Sequence, residues 1–122
     1  MAWDLKSDRP IYSQLIEQIQ LKIVSGLYPA GSKLPSVRDM ASDASVNPNT
    51  MQRALAELES EGLLYSQRTS GRFVTEDEGR IMDTKTMLAI ELIHEFLEKM
   101  KDLGYTKDQA IEILEKNPKE GQ

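Results

Sequence analysis

The hydrophobic period of this chain changes twice. Up to Gly62 the apolar residues recur every three to four positions, as on a helix face. From Leu63 to Thr75 they form short runs around a polar tip, and from about residue 77 the helical spacing returns. One short strand pair between helical segments cannot supply a sheet-based core. The expected fold class is therefore mainly α with a small β-hairpin.

The elements follow from the same pattern. Ile11, Leu15, Ile19 and Ile23, with Tyr12 and Ile16 beside them, predict a helix over about 10–25. Ser7 or Asp8 would cap it, with Pro10 in its first turn and Gly26 as its stop. "GLYPAGSKLPS" holds two prolines and two glycines and reads as a connector. Ser36 and Asp39 form a near capping box for a short helix over 37–44. Asn47 and Pro48 then supply a preferred cap and first residue for a third helix, whose apolar stripe is Met51, Ala54, Leu55 and Leu58. Leu63–Tyr65 and Arg72–Thr75 read as strands around a tip containing Gly71. A long helix over 77–103 and a short one over 107–116 complete the chain. Thr106 and Gln109 cap the last helix, and Ile111 and Leu114 form its buried side. "NPKEGQ" reads as a frayed tail.

Composition narrows the function classes. Without cysteine the chain forms no disulfide, thiolate metal site or cysteine nucleophile. The N-terminus lacks the basic and apolar regions of a signal peptide, and no run is apolar enough to span a membrane. A cytoplasmic protein without a membrane partner is expected. Net charge is −5, which argues against a generic polyanion binder. The charge is uneven, however: residues 1–75 carry 8 basic and 8 acidic side chains, a sum of 0, while residues 76–122 carry 7 and 12, a sum of −5. His94 is the only histidine, and among Glu91, Glu95 and Glu98 it reads as a solvated helix face; no metal or other cofactor is expected. The glutamates of 57–61 read as helix surface.

Two helices joined by a tight turn, the second opening in small polar residues, describe a helix-turn-helix, and the hairpin adds a wing. With Met51 facing the core, steps of 100° turn Asn49 and Arg53 to the opposite side and Gln52 to the flank. Such side chains suit base edges: Arg pairs with guanine, Asn and Gln with adenine. The N–H groups at the helix start favour an anion such as a DNA phosphate.

The stretch "PAGSKLPSVRDMASDASVNPNTMQRALAELESEGLLYSQRTSGRFV" resembles the winged-helix DNA-binding domain of the GntR family of bacterial transcription regulators. The likeness runs over about residues 10–75 and rests on the "P-A-G-x-x-L-P-S-x-R-x-x-A" segment, the "V-N-x-N-T-x-x-x-A-L-x-x-L" helix and the "E-G-L" that leads into "G-R-F-V". It implies DNA contacts by Arg38, by Asn47, Asn49 and Thr50, by Gln52 or Arg53 in the next turn, and by Gly71 with Ser70 and Arg72 at the wing; Ser36, beside Arg38, is a further candidate contact. Lys33, Arg68 and Arg72 are candidate phosphate contacts. Gly71 also has a purely conformational explanation, since a hairpin tip needs a residue at positive φ. Some family members carry Arg where this chain has Pro48 or Gln52, so no base-by-base assignment carries over.

Residues 76–122 are too few for the effector domain most GntR regulators carry. A two-helix extension resembles the YtrA-type subfamily, which implies homodimerisation and operons encoding ABC transporters. Leu88, Leu92, Phe96 and Met100 are the expected dimer contacts. The expected organisation is a winged helix-turn-helix over 1–75 and a two-helix dimerisation region over 76–122. The expected function is a homodimeric repressor on a pseudo-palindromic operator of double-stranded DNA, without catalysis. A winged helix that binds protein instead of DNA is the alternative, favoured by the lack of net positive charge. A small-molecule effector near Phe96, Met100 and Tyr105 stays open, as does control by another protein or by concentration.

Overall fold

The computed structural model describes residues 3–117. Its elements are α1 (Ile11–Val24), α2 (Val37–Ala44), α3 (Pro48–Ser60), β1 (Leu64–Gln67), β2 (Gly71–Val74), α4 (Glu78–Asp102) and α5 (Lys107–Lys116). The fold is mainly α with one hairpin, as the period changes predict. The chain divides between Lys85 and Thr86 into two compact units, and α4 runs across that division. The expected tail falls on residues 118–122, outside the described residues.

The first unit is built around α3. Met51, Ala54, Leu55 and Leu58 are all buried. They join Leu15, Ile19 and Ile23 of α1, Met40 and Ala41 of α2, and Leu63, Leu64 and Val74 at the wing in a single apolar cluster. Gly62 ends α3 at φ +84°. In the first turn of α4, Arg80 donates from Nη1 to the Glu61 carbonyl at 3.0 Å, which places a cation at the negative end of the α3 dipole.

The start of α1 differs from expectation. Pro10 itself occupies the cap position, and no side chain caps the helix; neither Ser7 nor Asp8 does so. Two glutamines do the ordering instead. The buried Gln14 accepts from the Lys6 N–H at 2.6 Å and donates to the carbonyls of Lys6 and Arg9 at 2.7 and 2.8 Å. Gln18 accepts from the Asp4 N–H and donates to the Asp4 carbonyl. Each amide presents a donor and an acceptor to the arm's backbone as a neighbouring strand would. Trp3 seats on the core and carries the Lys22 ammonium 4.5 Å from its ring centroid.

The turn between α2 and α3 closes through Ser45, a non-glycine residue at φ 58°, ψ 46°. An L-residue there strains Cβ against the backbone by roughly 1–2 kcal/mol, which glycine avoids at some entropic cost to the folded state. Ser45→Gly is expected to raise unfolding free energy by about 0.5 kcal/mol in urea titration; a loss of stability would mean that the serine hydroxyl compensates the strain.

The wing pairs β1 and β2 antiparallel, with Leu64 opposite Val74 and Gln67 opposite Gly71. Arg68–Ser70 form the tip, so Gly71, at φ +114°, opens the return strand. A third segment lines the free edge of β2. Lys33 bridges to Phe73, the Leu34 N–H donates to the Arg72 carbonyl, and the Val74 N–H to the Ser32 carbonyl, both at 2.9 Å. The connector before α2 thus lies along the edge of the two-stranded wing through a single bridge.

In the second unit, Gly104 ends α4 at φ +98°, and Thr106 with Gln109 forms the full capping box of α5. The expected burial of Ile111 and Leu114 is not observed: they are 41% and 55% exposed, and only Ala110 of α5 is buried. A unit this small within one chain has too little apolar surface to cover both helices. No described residue of α4 is buried at all.

Candidate nucleic-acid interface

A groove of about 670 Å³ lies between the start of α2 and the wing. Lys33, Ser36, Arg68, Ser70, Gly71 and Arg72 of the expected contact set all line it. Lys33 and Gly71 are neighbours: a Cβ on Gly71 would stand 3.0 Å from the Lys33 Cε. The flexible lysine could give way to a Cβ, so it is the backbone angle of Gly71 that calls for glycine. Arg38, Asn47, Asn49, Gln52 and Arg53 are exposed and Thr50 half-buried, outside the groove's lining. Asn49 and Arg53 face away from the buried Met51 and Gln52 lies on the flank, as helical spacing requires.

Several of these groups have work inside the protein. Asn47 accepts the Asn49 N–H at 2.7 Å through its side-chain oxygen, and Ser36 accepts the Asp39 N–H at 3.0 Å through its hydroxyl. Both keep donors for an outside partner, an amide NH2 and a hydroxyl proton. Arg72, with a side chain only 16% exposed, donates from Nε to Glu59 at 3.2 Å. The same Glu59 oxygen takes the Ser66 hydroxyl at 3.0 Å. Glu59 thus braces both wing strands to α3, a role the reading of 57–61 as plain surface misses.

The start of α3 does not offer the expected free N–H groups. Pro48 has none, Asn49 donates to the Asn47 side chain, and Thr50 and Met51 donate to the Asn47 carbonyl. Contacts from α3 fall instead to side chains. At α2, Ser36 answers the N–H groups of Asp39 and Met40, while those of Val37 and Arg38 precede the first intrahelical bond. The anion-friendly helix end is that of α2, beside Lys33 and Arg38.

Burial and neighbours displace three acidities. Burial lowers the Lys22 ammonium. Burial, then the charge of Asp43, raises the Tyr28 phenol, and burial, then Glu57, raises the Glu61 carboxyl. None of the three lines the groove. Among the described residues no group of three or more His, Cys, Asp or Glu side chains could hold a metal ion. No described helix is long and apolar enough to cross a membrane.

Two helices at a tight turn and a hairpin braced to the second of them define a winged helix-turn-helix with an exposed polar face. The pattern of the "Bacterial regulatory proteins, gntR family" matches residues 11–74, and the chain belongs to that family of transcription regulators. It is 39% identical over 107 residues to an uncharacterized HTH-type transcriptional regulator, YhcF, of Bacillus subtilis (strain 168), covering 88% of each chain. It is 35% identical over 113 residues to the HTH-type transcriptional repressor YtrA of the same organism, covering 93% of this chain and 82% of YtrA. A GntR family transcriptional regulator from Listeria monocytogenes superposes with a TM-score of 0.83 at 40% identity, over 92% of this chain and 98% of that one. The AraR DNA-binding domain in complex with operator ORE1 is similar at a TM-score of 0.53 and 31% identity, over 62% of this chain and 94% of the domain.

Proposed function

We propose that the protein is a cytoplasmic homodimeric repressor that occupies a pseudo-palindromic operator and catalyses no reaction. The observation that carries this reading is the exposed polar face of α3, with Asn49, Gln52 and Arg53 outward and the Lys33–Arg68 groove beside it. In this reading α3 enters the major groove, its side chains read base edges, and Lys33, Arg38, Arg68 and the α2 start meet phosphates. Ser36, Asn47, Thr50, Ser70, Gly71 and Arg72 complete the interface, the capping residues through their remaining donors. The division of labour is DNA binding by residues 1–75 and dimerisation by residues 76–122. Two α3 helices roughly 34 Å apart would then read one face of the duplex. The likeness to the YtrA repressor over both halves supports repression, and an ABC-transporter operon is the target that the YtrA-type resemblance of the sequence implies.

The dimer reading is supported by α4. Leu88, Leu92, Phe96 and Met100 fall within an arc of about 120° at helical spacing. Leu92 and Phe96 of this stripe are 66% and 37% exposed, beside the exposed Ile93, which leaves an apolar face that a second copy could cover.

Selection from a random duplex pool tests the reading directly. An enriched inverted repeat is expected, with affinity that falls steeply as salt rises because bound cations are released from phosphates. Arg38→Ala is expected to weaken binding to the selected duplex by about 1–3 kcal/mol per site and leave the dimer intact. Failure to enrich any sequence with folded dimer would sink the DNA-binding reading. Normal binding by Arg38→Ala would remove Arg38 from the interface.

A further inference from the structure

We propose that Tyr12 is a positioning residue for DNA recognition: its ring, on α1, holds the Arg53 guanidinium of α3 ready for the duplex. The inference rests on the DNA-binding reading above and concerns how one of its side chains is prepared. The Arg53 Cζ lies 4.4 Å from the centroid of the Tyr12 ring. Tyr12 is half-buried and packs against the core, so the ring is a fixed platform. Arg53 is exposed in the second turn of α3, on the face opposite Met51.

The chemistry of this contact differs from that of the other ordered arginines. Arg9 spends N–H donors on Glu17, Arg72 on Glu59, and Arg80 on the Glu61 carbonyl. Among the described residues Arg53 has no carboxylate partner. A ring beneath a guanidinium takes its face by attraction to the π cloud and leaves the N–H donors at its edges unspent. Those edge donors are what pair with the O6 and N7 of guanine. A long side chain that is ordered before binding loses less freedom on binding. The stack thus couples the α1–α3 packing to the geometry of the readout.

The test is a double-mutant cycle on the full-length dimer with the selected duplex. Arg53→Ala, Tyr12→Leu, Tyr12→Phe and the combined variants are compared, and urea titration establishes that each is folded. Tyr12→Met, which also keeps apolar bulk without a π face, replaces Tyr12→Leu if the latter unfolds. Tyr12→Leu is expected to weaken binding about 2- to 5-fold per subunit, or about 4- to 25-fold for the dimer. Tyr12→Phe should stay within about 2-fold of the parent, because the ring and not the hydroxyl is used. In the Arg53→Ala background Tyr12→Leu should change nothing further, and reselection with Tyr12→Leu should show relaxed preference at one position of each half-site.

An equal loss from Tyr12→Phe, or an undiminished effect of Tyr12→Leu without Arg53, would overturn the proposal and make Tyr12 an independent contact. Normal binding by Arg53→Ala beside weak binding by Arg38→Ala would overturn it while the DNA interface stands. Normal binding by both arginine variants would remove the interface and the proposal together.

Discussion

Leu92→Asp and Phe96→Asp are each expected to yield monomers, with light scattering falling from twice 13.8 kDa to 13.8 kDa. In the single chain both side chains meet water, Leu92 at 66% and Phe96 at 37% exposure, so a carboxylate costs little there. Within a closed dimer each carboxylate would be buried without a partner, and burying an unpaired charge costs several kcal/mol. Every 1.4 kcal/mol is tenfold in Kd, so a change of about a thousandfold is the scale to expect. The winged helix should survive, since residues 92 and 96 lie outside its core. The single tryptophan, Trp3, reports on that survival because it packs against this core. Operator affinity should collapse along with the dimer, because the second half-site loses the effective concentration that linkage supplies. Dimers that persist in both variants would place the interface on another face.

Leu58→Ala should produce the largest loss of stability, about 2–5 kcal/mol in urea. Leu58 is fully buried on the inner face of α3, in the cluster shared with α1, α2 and the wing. Truncation removes its transfer energy and leaves a cavity that tight neighbours cannot fill. Small domains hold roughly 5–15 kcal/mol in total, so much of the margin would go. Operator binding would weaken only in proportion to the unfolded fraction, unlike the selective loss from Arg38→Ala. A loss below about 1 kcal/mol would mean that α3 resettles into the space.

The two best-read helices are those with local punctuation. α2 and α5 occupy the spans that spacing predicts, 37–44 and 107–116, because Ser36 and Thr106 cap them with their own side chains. The α3 stripe is equally legible because all four of its apolar residues face one core. What sequence pattern misses is non-local. Gln14 orders α1 through backbone groups five and eight residues away, so a search for a local cap stops at Ser7 and Asp8. The connector's pairing with the wing is a single bridge at Lys33, too short for a period of two to register. Arg72 meets Glu59 across 13 residues, and no spacing rule links a wing arginine to a helix glutamate. Tyr12 on α1 and Arg53 on α3 come together only through packing. At the start of α3 the residue types were readable, but the number of N–H groups already satisfied by Asn47 was not. The exposure of Ile111 and Leu114 marks where a single chain's own surface runs out.

α4 has no buried side chain among its 25 residues, and this has a thermodynamic consequence. Helices in water draw most of their stability from packing rather than from their own propensity. Beyond the turns that lie with the first unit, α4 in a lone chain has little to hold it. In a dimer that closes over this face, order in the second half and association become one equilibrium. Its melting temperature then rises with total protein, and dilution unwinds the helix as it separates the subunits. If the second half pairs in this way, DNA binding that needs the dimer becomes a function of total protein concentration.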